Sequence, residues 1–137
     1  MILVDSNVLI DILEDDANWF DWSMMSLESA SIEGRVVINH VILAEVAPHQ
    51  EDLPTFFGKL TDMAIDIEPM TDEGAFIAGK SFLIYRRKRE KSGSVIADFL
   101  IGGHAEHLGA TILTRDPRFY RTYFPSVPLI TPDKAET

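Results

Sequence analysis

Short apolar runs alternate along this chain with longer stretches of helical character. The clearest runs are residues 2–4, 36–39 and 111–113, and runs of this length are typical of strands buried in a parallel sheet. The stretches between them begin with cap residues and stop at Gly or Pro, as helices do. This alternation predicts an α/β domain with a parallel sheet of about five strands and helices on both faces.

The chain has 137 residues, which favours one domain with a substantial core. We expect residues 1–131 to form the domain and residues 132–137 to be a polar tail. The absence of cysteine excludes disulfides and thiolate metal sites and fits a reducing compartment. The first residues lack the features of a secretory signal, and no apolar run approaches the roughly 20 residues of a membrane span. These features predict a cytoplasmic protein without a membrane partner.

The net charge is −10, from 12 basic and 22 acidic residues. Neutralising the phosphates of a nucleic acid requires Lys and Arg, so the overall charge argues against nucleic-acid binding. Any nucleic-acid activity must therefore depend on a local site.

Two carboxylates occur alone in apolar surroundings. Asp98 is the only charged residue in Val-Ile-Ala-Asp-Phe-Leu-Ile-Gly-Gly, and Glu45 is the only one in Val-Ile-Leu-Ala-Glu-Val-Ala. Because apolar residues lie on nearly every side of its helix, we expect Asp98 to be buried. A buried, unpaired carboxylate is costly, so it normally becomes protonated, pairs with a cation or binds a metal.

Two further acids, Asp5 and Asp116, come just after apolar runs. In open parallel sheets, sites form beyond the carboxyl ends of the strands, where the strand order reverses. Glu45 and Asp98 lie on helices that can reach the same rim, so all four acids can converge. Clustered oxygen ligands without Cys or His suit Mg²⁺ or Mn²⁺, and such sites typically activate water for an in-line displacement at phosphorus.

Each of these acids also has a purely structural alternative. Asp5 could cap a helix, and Asp98 could favour a helix dipole. Glu45 could pair with a buried arginine, while Asp116 before Pro117 is a common turn pair. Four independent roles at one rim are less expected than one shared site.

The same residues resemble the motifs of the PIN-domain family, especially toxins of the VapC type. Val-Asp-Ser-Asn-Val-Leu-Ile-Asp at 4–11 is similar to the opening signature of the family. The isolated Glu45, the Ile-Ala-Asp-Phe-Leu-Ile stretch around Asp98, and Leu-Thr-Arg-Asp at 113–116 match its later motifs in order. The resemblance extends from residue 1 to about residue 130, and four motifs in order are far more specific than any one of them.

The resemblance implies a five-stranded parallel sheet and a metal-dependent endoribonuclease. It implies a set of catalytic and metal-binding acids, here called the acidic quartet: Asp5, Glu45, Asp98 and Asp116. Asp5 and Asp98 would hold the principal Mg²⁺ or Mn²⁺ ion, and the other two acids would complete the site. The supporting polar positions are Ser6, Asn7 and Thr114. The resemblance also implies a homodimer and a cognate antitoxin that blocks the active site.

Several arginines are candidates for contact with RNA phosphates. Those nearest Asp116 in the sequence are Arg115, Arg118 and Arg121. A basic cluster at 86–91, which includes Arg86 and Arg87, is a second candidate, although a solvated helix end that favours the dipole is its simpler role. Tyr120 could stack on a base, with packing in the core as its alternative.

Two other features predict packing. His104 and His107 lie one helical turn apart without a comparable third metal ligand, so we expect them at the surface or in an interface. Gly102 and Gly103 in the middle of a helix cost stability, and they predict close packing against the sheet.

Two other functions compete with the nuclease. A Mg²⁺-dependent phosphatase with an aspartyl nucleophile also begins with a strand that ends in Asp. That enzyme usually needs a second Asp two residues later, where this chain has Asn7, and a lysine near the later acids. A non-catalytic PIN-fold module, for RNA binding or regulation, would keep the fold without the activity, and the intact acidic quartet argues against it.

Overall fold

The computed structural model describes residues 1–88 and 96–132. The strands in these ranges are β1 (Ile2–Val4), β2 (Val36–Ile38), β3 (Ile65–Ile67), β4 (Thr111–Leu113) and β5 (Leu129–Ile130). The helices are α1 (Ser6–Leu13), α2 (Phe20–Glu33), α3 (His40–Val46), α4 (Leu53–Asp62), α5 (Asp72–Lys88), α6 (Ile96–Leu108) and α7 (Arg118–Tyr123), with a 3₁₀ helix at Ala47–His49. Part of the predicted basic cluster (residues 89–91) and residues 133–137 of the predicted tail lie outside the described residues.

The five strands form one sheet in the order β3-β2-β1-β4-β5, and each described pair is parallel. Leu3 in the central strand lies opposite Val37 on one side and Ile112 on the other. The chain builds the sheet outward from β1 in one direction and then returns to add β4 on the other side. The order therefore reverses between β1 and β4, where a crevice opens at the carboxyl ends of the strands.

The central strands are buried on both faces. Leu3 and Val4 point to opposite sides of the sheet, and both are 0% exposed, as are Val37 and Ile112. Such strands require helices on both faces, so the predicted α/β architecture with a five-stranded parallel sheet is confirmed. None of the helices within the two described ranges is long and apolar enough to span a membrane.

Helix α6 packs closely against α5 through glycines. A Cβ atom at Gly103 would lie 2.5 Å from the carbonyl oxygen of Gly74 and 2.7 Å from the backbone nitrogen of Ala78, and one at Gly102 would overlap the ring of Phe124. The predicted close packing is therefore present. Its partners are α5 and an aromatic ring, so the expectation that these glycines pack against the sheet was wrong. This contact fixes α6, whose first turn carries Asp98.

A buried polar pair joins α6 to α3. His104 is 0% exposed, so the prediction that places it at the surface or in an interface was wrong for this residue, whereas His107 is exposed. The Oδ1 atom of Asn39 accepts a hydrogen bond from the backbone of Ile42 and caps α3. The amide nitrogen of Asn39 therefore donates to Nδ1 of His104 at 3.1 Å. Burial lowers the pKa of His104, so the imidazole is neutral and links the helices that carry Glu45 and Asp98.

Candidate active site

A cavity of about 340 Å³ opens beyond the carboxyl ends of β1 and β4. Three members of the acidic quartet line it, contributed by the loop after β1, the first turn of α6 and the loop after β4. The lining residues are Asp5, Ser6, Asn7, Asp98, Asp116, Phe119 and Tyr120. The predicted convergence at the point where the strand order reverses is therefore present for these three acids.

Asp5 is buried and fully engaged in hydrogen bonds. Its Oδ1 atom accepts from the backbone nitrogen of Ser6 at 2.8 Å and caps α1. The helix thus begins at Ser6, and the structural alternative in which Asp5 caps a helix is present. The Oδ2 atom accepts from the hydroxyl of Thr114 at 2.9 Å and from the phenol of Tyr120 at 3.1 Å. Burial raises the pKa of Asp5, although these hydrogen bonds oppose the shift.

Glu45 joins the group from α3. Its side chain is half-buried and bonds to Ser6. Its Oε1 atom is buried without a hydrogen-bond partner among the described residues. Burial raises the pKa of Glu45, and the negative charges of Asp5 and Asp98 raise it further. The structural alternative, a buried arginine paired with Glu45, is absent from residues 1–88 and 96–132.

Asp98 and Asp116 are more exposed than Asp5. Asp98 is half-buried, so the expectation that it is buried was wrong, because the first turn of α6 opens onto the cavity. The negative charge of Asp98 raises the pKa values of Asp5 and Glu45, which shows that the three carboxylates lie near one another. Asp116 is exposed, and its backbone nitrogen donates to the hydroxyl of Thr114 at 3.1 Å.

Thr114 is the centre of a small hydrogen-bond network. Its hydroxyl donates to Asp5, and it accepts from the backbone of Asp116 and from the side-chain nitrogen of Asn7 at 3.2 Å. One donor and two acceptor positions are thereby satisfied. The side-chain oxygen of Asn7 accepts from the backbone nitrogen of Arg115 at 3.3 Å. The sequence predicted Thr114 and Asn7 as supporting residues, and the structure gives both direct contacts to the loop that carries Asp116.

Tyr120 contributes a role that the sequence analysis did not identify. It is 2% exposed, which agrees with packing in the core, and its phenol also donates to Asp5. Burial first, and then the charges of Asp5 and Asp98, raise the pKa of Tyr120 well above its usual value of 10.0. The phenol therefore remains protonated and keeps donating to Asp5 at neutral pH.

The carboxylates are near one another, but they are not gathered around one point. Among residues 1–88 and 96–132, no three Asp, Glu or His side chains are arranged so that they could hold a metal ion together. The chemistry of the donors nevertheless fits a hard cation, because every candidate ligand is an oxygen. The unpartnered Oε1 atom of Glu45 also fits a bound cation, since a buried oxygen of this kind needs a cation or a hydrogen-bond donor.

The arginines differ in their surroundings. Arg115, a predicted phosphate contact, is bound to Asp11 at 2.7 Å and 2.9 Å, and Asp11 was missed by the sequence analysis. Arg118 is exposed and Arg121 is half-buried on α7, close in sequence to Asp116. The remaining two candidates, Arg86 and Arg87, are exposed near the end of α5.

Comparisons with known proteins agree with this architecture. The family model described as the PIN domain matches residues 2–125. No curated protein matches the chain.

Several solved structures share the fold at low sequence identity. VapBC2 from Rickettsia felis, bound to a DNA fragment from its promoter, matches with a TM-score of 0.73 and 21% identity, over 96% of this chain and 98% of that chain. FitAcB from Neisseria gonorrhoeae matches with a TM-score of 0.71 and 20% identity, over 95% and 96% of the two chains. A toxin-antitoxin complex from Klebsiella pneumoniae matches with a TM-score of 0.64 and 20% identity, over 97% and 98%.

Proposed function

The chain belongs to the PIN-domain family, and on this premise we propose that it is a metal-dependent endoribonuclease that hydrolyses phosphodiester bonds of RNA. One observation carries the proposal. Asp5, Asp98 and Asp116 line a single cavity at the point where the strand order reverses. Glu45 lies close enough that the charges of Asp5 and Asp98 raise its pKa. The family match and this arrangement of acids both favour nuclease chemistry.

The acidic quartet would hold Mg²⁺ or Mn²⁺. Asp5 and Asp98 would bind the principal ion, while Glu45 and Asp116 would complete the site. Burial raises the pKa values of Asp5 and Glu45, and the negative charge of Asp98 raises both further, as expected for like charges held close together. A cation would relieve this repulsion and draw the carboxylates closer. A bound divalent ion supplies Lewis acidity and lowers the pKa of water.

The chain's own residues orient the acids and admit the substrate. Thr114 and Tyr120 fix the Oδ2 atom of Asp5, so this carboxylate is held in one orientation at the cavity wall. Asp116 is exposed at the rim, where the substrate would approach. Phe119 lines the same cavity and offers an aromatic face on which a base could stack.

RNA binding requires cations near this acidic cavity, because phosphates and carboxylates repel each other. Arg118 is exposed two residues after Asp116, and Arg121 lies one helical turn further along α7. We propose that these two arginines contact the RNA backbone. Arg86 and Arg87 form a second exposed basic surface that longer RNA could reach.

We also propose that the chain is the toxin of a toxin–antitoxin pair. The support is that the structural relatives carry names of such complexes: VapBC2 in one case and a toxin-antitoxin complex in another. In this proposal the protein acts in the cytoplasm as a homodimer, and a cognate antitoxin blocks the acidic cavity. Co-expression with the product of the adjacent open reading frame should relieve any growth inhibition that the chain causes.

The test of the activity is incubation of the purified chain with RNA and, separately, with a generic phosphomonoester. We expect RNA cleavage with Mg²⁺ or Mn²⁺, none with a chelator, and no release of phosphate from the monoester. Release of phosphate without RNA cleavage would favour the phosphatase alternative. RNA binding without cleavage would favour the non-catalytic alternative.

A further inference from the structure

A fifth carboxylate, Asp11 on α1, is buried and is not among the residues that line the cavity. It is 2% exposed, and its two oxygens receive the guanidinium of Arg115 in a two-point contact, Nε to Oδ2 at 2.7 Å and Nη2 to Oδ1 at 2.9 Å. The hydroxyl of Ser23 on α2 donates to the same Oδ2 atom at 2.9 Å. Asp11 therefore joins α1, α2 and the loop after β4.

Arg115 is held from further directions. The ring of Trp19 lies 5.4 Å from its Cζ atom, close enough for a cation–π contact. The backbone nitrogen of Trp19 donates to the side chain of Asp16 at 2.8 Å, so the ring is itself anchored. A guanidinium engaged by a carboxylate and covered by an aromatic ring is poorly placed to reach an RNA phosphate.

The position of Arg115 in the chain gives this ion pair its importance. Arg115 lies between Thr114, which donates to Asp5, and Asp116, which lines the cavity. Its own backbone nitrogen donates to Asn7. Fixing the Arg115 side chain on Asp11 thus restrains the turn that carries both neighbours.

We propose that Asp11 and Arg115 are positioning residues, which hold the 114–116 loop so that Asp116 and Thr114 are correctly placed relative to Asp5. The inference rests on the proposed nuclease function and assigns Arg115 a role within the protein instead of a contact to RNA. The planar fork of arginine matches both carboxylate oxygens at once, and lysine cannot reproduce this geometry. Residues that orient metal ligands from behind typically change metal affinity or activity by about 10- to 100-fold when they are replaced.

Two variants test the role in catalysis, Asp11→Asn and Arg115→Lys. The matched control is Arg35→Lys, because Arg35 also bridges carboxylates, Asp66 and Glu68. Arg35 lies at the amino end of β2, whereas the cavity lies at the carboxyl ends of the strands. We expect kcat for RNA cleavage to fall about 10- to 100-fold in both test variants. The Mn²⁺ concentration for half-maximal activity should rise, while KM for RNA and the salt dependence of RNA binding stay unchanged. The control should retain wild-type values.

The opposite pattern would overturn the proposal. If Arg115 contacts RNA, Arg115→Lys should raise KM and leave the metal requirement unchanged, and Asp11→Asn should preserve or strengthen RNA binding by freeing the guanidinium. Wild-type kcat in both folded variants would also overturn it. If Asp11→Asn does not fold, the same measurements on Arg115→Lys alone test the proposal. That variant should fold because the lysine keeps a positive charge beside the buried Asp11.

A second measurement does not depend on nuclease activity. Amide hydrogen exchange at Arg115 and Asp116 reports the two backbone hydrogen bonds of the loop, whether or not the chain cleaves RNA. Faster exchange at these amides in both variants, with unchanged exchange at Gly109 after α6, supports the positioning role even if the proposed function fails. Exchange identical to wild type overturns the positioning role even if the chain is a nuclease.

Discussion

Glu45→Gln removes one negative charge from the acidic quartet and keeps the shape of the side chain. In wild type without metal, the Oε1 atom of Glu45 is buried and has no hydrogen-bond partner within the described residues, and the charges of Asp5 and Asp98 act on it. Gln keeps a polar atom in this buried position but carries no charge, so the substitution relieves only the repulsion from Asp5 and Asp98. The Glu45 side chain is only half-buried, so solvent screening limits this repulsion to about 1 kcal/mol or less.

We therefore expect Glu45→Gln to stabilise the metal-free protein by up to about 1 kcal/mol through loss of this repulsion, which raises Tm by up to roughly 4 °C for a chain of this size. The gain should depend on pH. Because burial raises the pKa of folded Glu45 above its usual 4.5, the folded state holds this proton more tightly than the unfolded chain does. The resulting stability is complete below pH 4.5 and is lost as the pH rises through the raised pKa, so the variant's gain over wild type should develop above pH 4.5 and be complete above the raised pKa.

Mn²⁺ should reverse the ranking of the two proteins. An ion at a hundredfold excess over its Kd stabilises the folded state by about 2.7 kcal/mol, or roughly 10 °C in Tm for this size. Wild type should show this shift, and Glu45→Gln should lose most of it. The assay is thermal melting with chelator and with Mn²⁺, with Glu28→Gln on the exposed face of α2 as the control. A lower metal-free Tm for Glu45→Gln with the full Mn²⁺ shift retained would refute the reasoning.

Three further predictions concern packing, the supporting network and RNA contact. In chemical denaturation, Gly103→Ala should destabilise the fold by about 1–3 kcal/mol because the new Cβ meets the α5 backbone, whereas Gly79→Ala, with open space around it, should stabilise it by up to about 1 kcal/mol. Thr114→Val removes a hydroxyl that donates to Asp5 and should cost about 1–3 kcal/mol by the same assay; an unchanged stability would contradict the network. Arg118→Ala should weaken binding of single-stranded RNA and reduce the salt slope by about 0.7, and an unchanged slope in a filter-binding titration would move RNA contact to another surface.

The topology of the sheet and the location of two acids could be predicted from the sequence. Asp5 directly follows an apolar run and Asp116 lies three residues after another. Parallel strands end at a common edge, so the local pattern and the handedness of the connections bring the two acids together. No tertiary information is required for that inference. Thr114 and Asn7 were expected beside them only from the resemblance to the PIN-domain family.

Burial of individual side chains was harder to predict. Asp98 lies in an apolar stretch but is half-buried, because it occupies the first turn of α6 at the mouth of the cavity. His104 is polar yet 0% exposed, because Asn39 on another helix gives it a partner. Both outcomes depend on which element packs against the helix, and periodicity along one helix does not contain that information.

The Asp11–Arg115 pair shows the same limit. Asp11 is a lone charge in the apolar stretch Val-Leu-Ile-Asp-Ile-Leu, the same signal that identified Glu45 and Asp98, and this signal could have singled it out. Its partner is 104 residues away in the chain, so the choice between a metal ligand and an ion pair required the tertiary structure. Arg115 was consequently predicted to contact RNA.

The most direct test of the acidic quartet is the initial rate of RNA cleavage across a Mn²⁺ titration. The proteins compared are wild type, Asp5→Asn, Asp98→Asn and the control Asp62→Asn, which alters an exposed acid at the end of α4. We predict Mn²⁺-dependent cleavage by wild type and by the control, and none by the other two at any Mn²⁺ concentration. Undiminished cleavage by folded Asp5→Asn or Asp98→Asn would contradict the assignment of this site.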